Sequence, residues 1–493
     1  MALGEPRADS QKVEAFDVLV IGAGVSGINA AYRLQAHNPD HTFAVIEGRG
    51  DIGGTWDLFR YPGIRSDSEL FTYGFEWEPW PFETPIAAGR LIREYMKSCI
   101  AKYNLDRYIR FHHKVLAADW SSENRQWRVM TEHDGCKKEF RANFLFLGTG
   151  YYDYDDPLKA DIPGLEDFKG QTVHPQHWPE NYDYTGKKMV IIGSGATAVT
   201  LVPALAQTAG AVTMVQRSPT YIAPLVNESP AKSWFLKLFS KSAIGTWMRV
   251  KYLITNYIQV KYIQTFPQRA RAAICGMMES ELPKRIPLNP HFSPTYNPWE
   301  QRLCVTPDGD FFKAFRDNPN TNVVTGHIET VTDHGLLMKD GTTVEADVIV
   351  TATGLQVRLG GGIAVSVDGE KVDWAGRKLW HGSMVENVPN LMLCIGYVDA
   401  AWTTGADATA VILTRLLKHM RSKRVTSATP KPPVERSGIT YIMFELSSSY
   451  VQKAAKRLPI YGNTGPWRPK KNPPMDWLSS RWGDIVTGLS FSS

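Results

Sequence analysis

The sequence predicts an α/β protein of two Rossmann-like dinucleotide-binding domains with a helical insertion. Three observations predict it. Two stretches, starting near residues 16 and 187, each read as strand, glycine-rich turn and helix. Between residues 223 and 300 that alternation stops. Apolar and aromatic residues there recur at helical spacing, with basic residues between them.

The first unit, "FDVLVIGAGVSGINAAYRLQ", is a short β run, then Gly22-Ala-Gly24-Val-Ser-Gly27, then a helical pattern; a second β run ends at Glu47. Gly22 permits the tight turn, Gly24 lets backbone approach a pyrophosphate, and Gly27 lets helix and strand pack closely. The helix N-terminus offers its free N–H groups to the phosphates. Glu47 stands 20 residues after Gly27, where a carboxylate accepts the hydroxyls of an adenosine ribose.

The second unit, "KKMVIIGSGATAVTLVPALA", repeats the device with Gly193, Gly195 and Ala198. Its following strand ends in Arg217 and Ser218 where the first has Glu47. An acid there repels a 2′-phosphate, whereas an arginine and a hydroxyl bind it. The first unit therefore suits FAD and the second NADPH; the alternative for Arg217 is a surface arginine at a strand end. Two apolar runs closing on glycine, "FLFLGTG" (144–150) and "ADVIVTATG" (346–354), let backbone cross close to a cofactor or a neighbouring domain.

These signals divide the chain into residues 1–150 (FAD-binding, first segment), 151–222 (NADP-binding, first segment), 223–300 (helical), 301–387 (NADP-binding, second segment) and 388–493 (FAD-binding, second segment and tail). The tail stretch "WRPKKNPPMDWLSSRWGD" reads as a lid or a packed segment.

Composition narrows the function. Lys and Arg number 55 against 50 Asp and Glu, a mild excess, whereas long-range attraction of nucleic acid needs a concentrated basic face. The most basic run, from Lys418 to Ser437, carries Pro, Ser and Thr and reads as a solvated loop. Five scattered Cys without a C-x-x-C pair read as reduced thiols of a cytoplasmic protein. The first 17 residues lack the apolar core of a signal peptide. Oligomeric state is not legible. Paired cofactor units without a redox Cys pair favour a flavin monooxygenase over a disulfide-type reductase.

Longer motifs carry a resemblance. Phe168-x-Gly170-x-x-x-His174-x-x-x-Trp178-Pro179 resembles the fingerprint of the type I Baeyer–Villiger monooxygenases. In the sister flavin-containing N- or S-oxygenating enzymes the last aromatic is typically Tyr or Phe. "GGTWDLFRYPGIRSD", with Gly53, Gly54, Thr55, Trp56, Tyr61, Pro62, Gly63 and Asp67, resembles a second pattern of the same family. The resemblance runs from about Phe16 into the C-terminal region. It implies a peroxyflavin that inserts one oxygen of O2 into a ketone, and sulfides or thioamides as further substrates. It further implies that Gly54, Thr55, Trp56 and Asp67 bind cofactor, and that Arg302 of "YNPWEQRLC" is the catalytic arginine with Asp67 as its partner. A permanently charged guanidinium suits an anionic peroxide and a later oxyanion. The family often carries a basic residue before that arginine; Gln301 stands here, leaving the 2′-phosphate to Arg217 and Ser218.

Gly170 would give the linker freedom while Phe168, His174 and Trp178 dock it during domain motion, or the four simply pack. His174 and His177 lack a third ligand at metal spacing, so no metal is expected. The segment 223–300 walls the active site if the resemblance holds, or lies as a basic amphipathic surface on membrane.

Overall fold

The structure is a computed structural model and describes residues 13–228, 239–432, 439–444, 447–470 and 472–493. The chain start, residues 229–238 of the segment 223–300 and residues 433–437 of the basic run lie outside the described residues.

Two sheets organise the molecule. In the larger, strand Glu14–Ile21 lies parallel to Phe43–Ile46 on one side and to Cys136–Leu147 on the other. Its residues 18–21 are apolar without alternation, because both faces are covered. Val18 and Val20 join one core, with Phe144 and Phe146; Leu19 and Ile21 join the opposite one, with Leu145 and Leu147. An antiparallel meander of Lys114–Ser121, Gln126–His133 and Cys136–Leu147 extends the sheet.

The smaller sheet is parallel throughout, in the order Thr321–Thr325, Ala211–Gln216, Lys188–Ile192, Val348–Thr351, Gln171–Val173. Helices Ala196–Leu205 and Asp310–Asp317 pack together over it, with Phe311, Phe312 and Phe315 fully buried.

The return to the larger sheet comes earlier than residue 388. Strand Ala364–Val367 pairs with Lys114–Ser121, and the short strands Leu379–Trp380, Met384–Val385 and Leu391–Leu393 run into Cys136–Leu147. Strands of two to four residues carry too little periodicity to betray which sheet they join. The run from Lys418 also departs from expectation: its first six residues finish helix Trp402–Lys423, and Ser427–Pro430 is a strand paired with Leu489–Ser492.

The insertion contains helices Lys241–Thr265 and Pro267–Glu281, the first capped by the Ser240 hydroxyl, which accepts from the Ala243 N–H. Buried Arg249 fixes it by donating to the carbonyls of Phe71, Thr72 and Gly74. Helix Trp402–Lys423 lies on helix Val25–His37, where Asp407 accepts from Arg33 at 2.8 and 3.0 Å and from Arg481 at 3.1 Å. The tail stretch forms helix Pro473–Trp482, capped by Asn472 and held against Trp402–Lys423, so it is a packed segment rather than a lid.

Candidate active site

The first glycine turn is built to its closest tolerances. Gly22 has φ +100°, and a side chain there would also meet the Gly148 carbonyl oxygen at 2.8 Å. A methyl on Gly27 would lie 1.8 Å from the Gly22 carbonyl oxygen, so the helix sits directly on the turn. Gly24 faces Gly54 across a narrow gap, 3.2 Å from the place of a Gly54 Cβ. Helix Val25–His37 starts without a side-chain cap or an acidic first turn, which leaves its terminal N–H groups for an anion.

Glu47 closes this turn. Its two carboxylate oxygens accept from Ala23 N–H at 2.7 Å and Arg49 N–H at 2.8 Å, which leaves further lone pairs for hydroxyls. Burial raises its pKa, against the lowering effect of those two bonds. Beneath it Asp57 receives Arg49, Arg60 and Arg93 at 2.7 to 2.8 Å. Burial opposes ionisation of Asp57, and the hydrogen bonds from Arg49 and Arg93 outweigh it, so its pKa falls. Thr55 contacts the Tyr154 hydroxyl at 3.2 Å, and Trp56 donates to the Tyr73 hydroxyl at 2.8 Å.

The second turn is looser. Gly193 at φ +142° presses against the Ala352 carbonyl, but a side chain on Gly195 would meet nothing within 4 Å. Ala198 is fully buried where the first unit needs Gly27. Helix Ala196–Leu205 also lacks a side-chain cap. Arg217 and Ser218 are exposed beside the turn, and the Ser194 hydroxyl donates to the Ser218 carbonyl at 2.8 Å.

The first turn and the start of helix Ala196–Leu205 open on one cavity. Its walls include Gly24, Gly54 and Trp56 from the first side and Ala196, Thr197 and Thr200 from the second, with Asp67 and Arg302 between them. Asp67 and Arg302 also border a second cavity of 340 Å³, walled by Tyr252, Asn256 and Val260 of the insertion. The Cys304 thiol beside them is pushed up to about 12 by burial, with Asp67 adding and Arg302 opposing.

The fingerprint residues lie elsewhere. Strand Gln171–Val173 is the edge of the smaller sheet; Phe168 packs on one of its faces with Val190 and Ile349, and Trp178 on the other with Ile191 and Val350. A side chain on Gly170 would strike the Asp347 carbonyl at 2.4 Å and the Phe168 ring at 2.5 Å, so close packing rather than freedom requires glycine there. His174 accepts from Gln176 N–H at 3.1 Å, and burial, with His177 adding, brings its pKa down to about 4. None of the four lines either cavity.

Several lining groups escaped sequence reasoning. Trp402 donates to the Ser26 hydroxyl at 2.9 Å and stacks on Tyr151. Glu69 lines the second cavity and accepts from Thr72 N–H, the Thr72 hydroxyl and, at 3.0 Å, the Asn256 amide. Burial pushes Glu69 up to about 7. Its position two residues beyond Asp67 was the available signal.

The chain belongs to the flavin-binding monooxygenase-like family, which matches residues 78–286, and an NAD(P)-binding Rossmann-like domain matches residues 20–94. It is therefore a flavin-binding monooxygenase of that family. It is 41% identical over 484 residues to the FAD-containing monooxygenase EthA of Mycobacterium tuberculosis, covering 97% of this chain and 98% of that one. The probable FAD-binding monooxygenase AlmA of an Acinetobacter species is 42% identical over 459 residues, 92% of each chain. Among solved structures, OTEMO in complex with FAD and NADP gives a TM-score of 0.77 at 20% identity, covering 98% of this chain and 100% of that one. Cyclohexanone-bound cyclohexanone monooxygenase gives 0.76 at 20%, with the same coverage. At that identity these two share the fold.

Proposed function

We propose that this chain is an NADPH-dependent Baeyer–Villiger monooxygenase. A ketone, O2, NADPH and a proton give an ester or lactone, NADP+ and water; sulfides or thioamides are further substrates. The observation that carries this reading is the position of Arg302 and Asp67, which border both the cavity between the first glycine turn and helix Ala196–Leu205 and the cavity walled by the insertion.

In this reading the first turn and Glu47 hold FAD, and the second turn, Arg217 and Ser218 hold NADPH. The geometry fits such groups. Gly24 and Gly195 leave room that a side chain would occupy or narrow, and both helix N-termini are uncapped toward phosphate. FAD and NADPH held there would supply the redox chemistry that activates O2. The chain's own part is electrostatic. Arg302 offers fixed N–H donors to the oxygen that carries negative charge in the addition to the carbonyl, and Asp67 keeps the guanidinium oriented. The Trp56–Tyr73 and Thr55–Tyr154 bonds fix a wall of the cavity that would hold the flavin. The apolar side chains around the second cavity exclude water from the reacting carbonyl.

The test is product analysis under ¹⁸O2 with a linear ketone, a phenyl ketone and an aryl sulfide. An ester carrying one heavy oxygen supports the reading, and sulfoxide alone supports the N- or S-oxygenating alternative. Arg302→Ala is expected to keep flavin bound and reducible while ester formation drops by about 10²-fold or more. Normal ketone turnover in that variant removes Arg302 from the role.

A further inference from the structure

Helix Lys241–Thr265 is apolar on two sides. Its inner side gives Met248 to the core and Tyr252, Asn256 and Val260 to the second cavity. Its outer side is bare among the described residues: Trp247 is 48% exposed, Val250 49%, Ile254 50%, Ile258 59% and Tyr262 48%. These five recur every three or four residues and so form one stripe along the helix. A contiguous exposed stripe of large apolar side chains marks an interaction surface, unlike scattered single ones.

Charge selects the partner. Helix Lys241–Thr265 carries four Lys or Arg, of which Arg249 is buried, and no Asp or Glu, although bases and acids nearly balance over the whole chain, 55 against 50. Lys251 and Lys261 are exposed on this helix, with their ammonium groups 5.5 Å from the Trp247 ring and 5.8 Å from the Tyr257 ring. A second copy of the chain is a poor occupant, because a twofold pairing sets this carboxylate-free face against itself. An anionic lipid headgroup layer meets both needs: it accepts the apolar stripe and the indole, and it attracts the lysines.

We propose that the outer face of helix Lys241–Thr265 docks on an anionic lipid surface and lies in the headgroup plane. No helix among the described residues is long and apolar enough to cross a membrane, so the contact is along the surface. The helix is then a partition with lipid on one side and the second cavity on the other. Leu225 and Val226, 46% and 73% exposed, also line that cavity, so an apolar molecule dissolved in the bilayer enters over an apolar sill. Use of that path for substrate rests on the function proposed above; the docking does not.

The experiment is sedimentation of the purified flavin-loaded protein with vesicles of phosphatidylcholine alone or mixed with phosphatidylglycerol. The protein is expected to pellet with the mixed vesicles, far less with the neutral ones, and less again at high salt. Ile254→Glu combined with Ile258→Glu is expected to lower the pelleted fraction by about tenfold while flavin content and NADPH oxidation stay unchanged. Lys251→Glu tests the charge with the stripe intact and is expected to weaken pelleting with the mixed vesicles only. Wild-type protein that stays in the supernatant, or that pellets as well as the double variant, overturns the proposal. So does a wild-type dimer that becomes a monomer in the double variant without any vesicle binding, which assigns the stripe to a second copy. A failure to oxygenate ketones leaves the pelleting result untouched and counts against the proposed function alone.

Discussion

At Gly27 the first glycine turn leaves no room for a methyl group, whereas the second turn buries one at Ala198. The first turn ends its second strand on a buried carboxylate bonded to backbone, and the second ends on an exposed arginine. The same strand–turn–helix device is thus built once as an enclosed seat and once as an open rest. Gly24 is faced by Gly54 within van der Waals reach, while Gly195 faces open space. An enclosed seat suits a group that stays, and an open one suits a group that arrives and leaves each cycle. The difference lies in the tolerances around the motif, since the motif itself is nearly the same.

The largest expected effect breaks the enclosed side. Gly27→Ala places a carbon 1.8 Å from a backbone oxygen and is expected to destabilise the fold by more than about 3 kcal/mol, with loss of the visible flavin absorbance per protein. Retention of a full complement of flavin in that variant would remove the contrast between the turns. Next, Arg217→Ala is expected to raise the KM for NADPH by about 10- to 100-fold and leave that for NADH nearly unchanged. Equal shifts for the two cofactors assign Arg217 to the surface. Glu69→Gln probes the seam, since Glu69 belongs to neither turn. Its pKa is raised, so the carboxyl costs nothing below its ordinary 4.5 and opposes folding increasingly as pH climbs from there through about 7. The variant is expected to gain on the order of 1 kcal/mol at about pH 8, with the gain vanishing near about pH 5, as read by thermal melts. A gain of the same size at both pH values rejects ionisation as its cause. Smallest, Ala198→Gly is expected to cost about 1 kcal/mol and to leave both cofactor affinities within about twofold, the counterpart of the severe change at Gly27.

Much of this was legible in the sequence where the constraint is local. A glycine whose Cβ would strike the carbonyl of its own turn announces itself within six residues, and so does a carboxylate at a fixed distance along the next strand. Trp402 was not legible, because it reaches the first cavity from a segment far along the chain with no local pattern to mark it. Gly170 was read as a flexible point because its reason, the Asp347 carbonyl and the Phe168 ring pressing on its α-carbon, is partly a contact with a distant strand. The return to the larger sheet was placed too late for a similar reason: strand Ala364–Val367 is defined by its pairing with Lys114–Ser121, about which four residues say little.

That split sheet has a consequence for how the protein comes into being. The nascent chain emerges with residues 14–147, which hold most of the larger sheet, yet Leu145–Leu147 must wait for Leu391–Leu393 as their neighbour. Helix Val25–His37 waits longer, for the helix that brings Asp407 to Arg33. Domains ordinarily fold in the order in which the ribosome delivers them. Here the smaller sheet is synthesised whole while the larger is still missing an inner strand and a covering helix. The first unit begun is the last completed, and a chain truncated before residue 391 leaves it open along Leu145–Leu147.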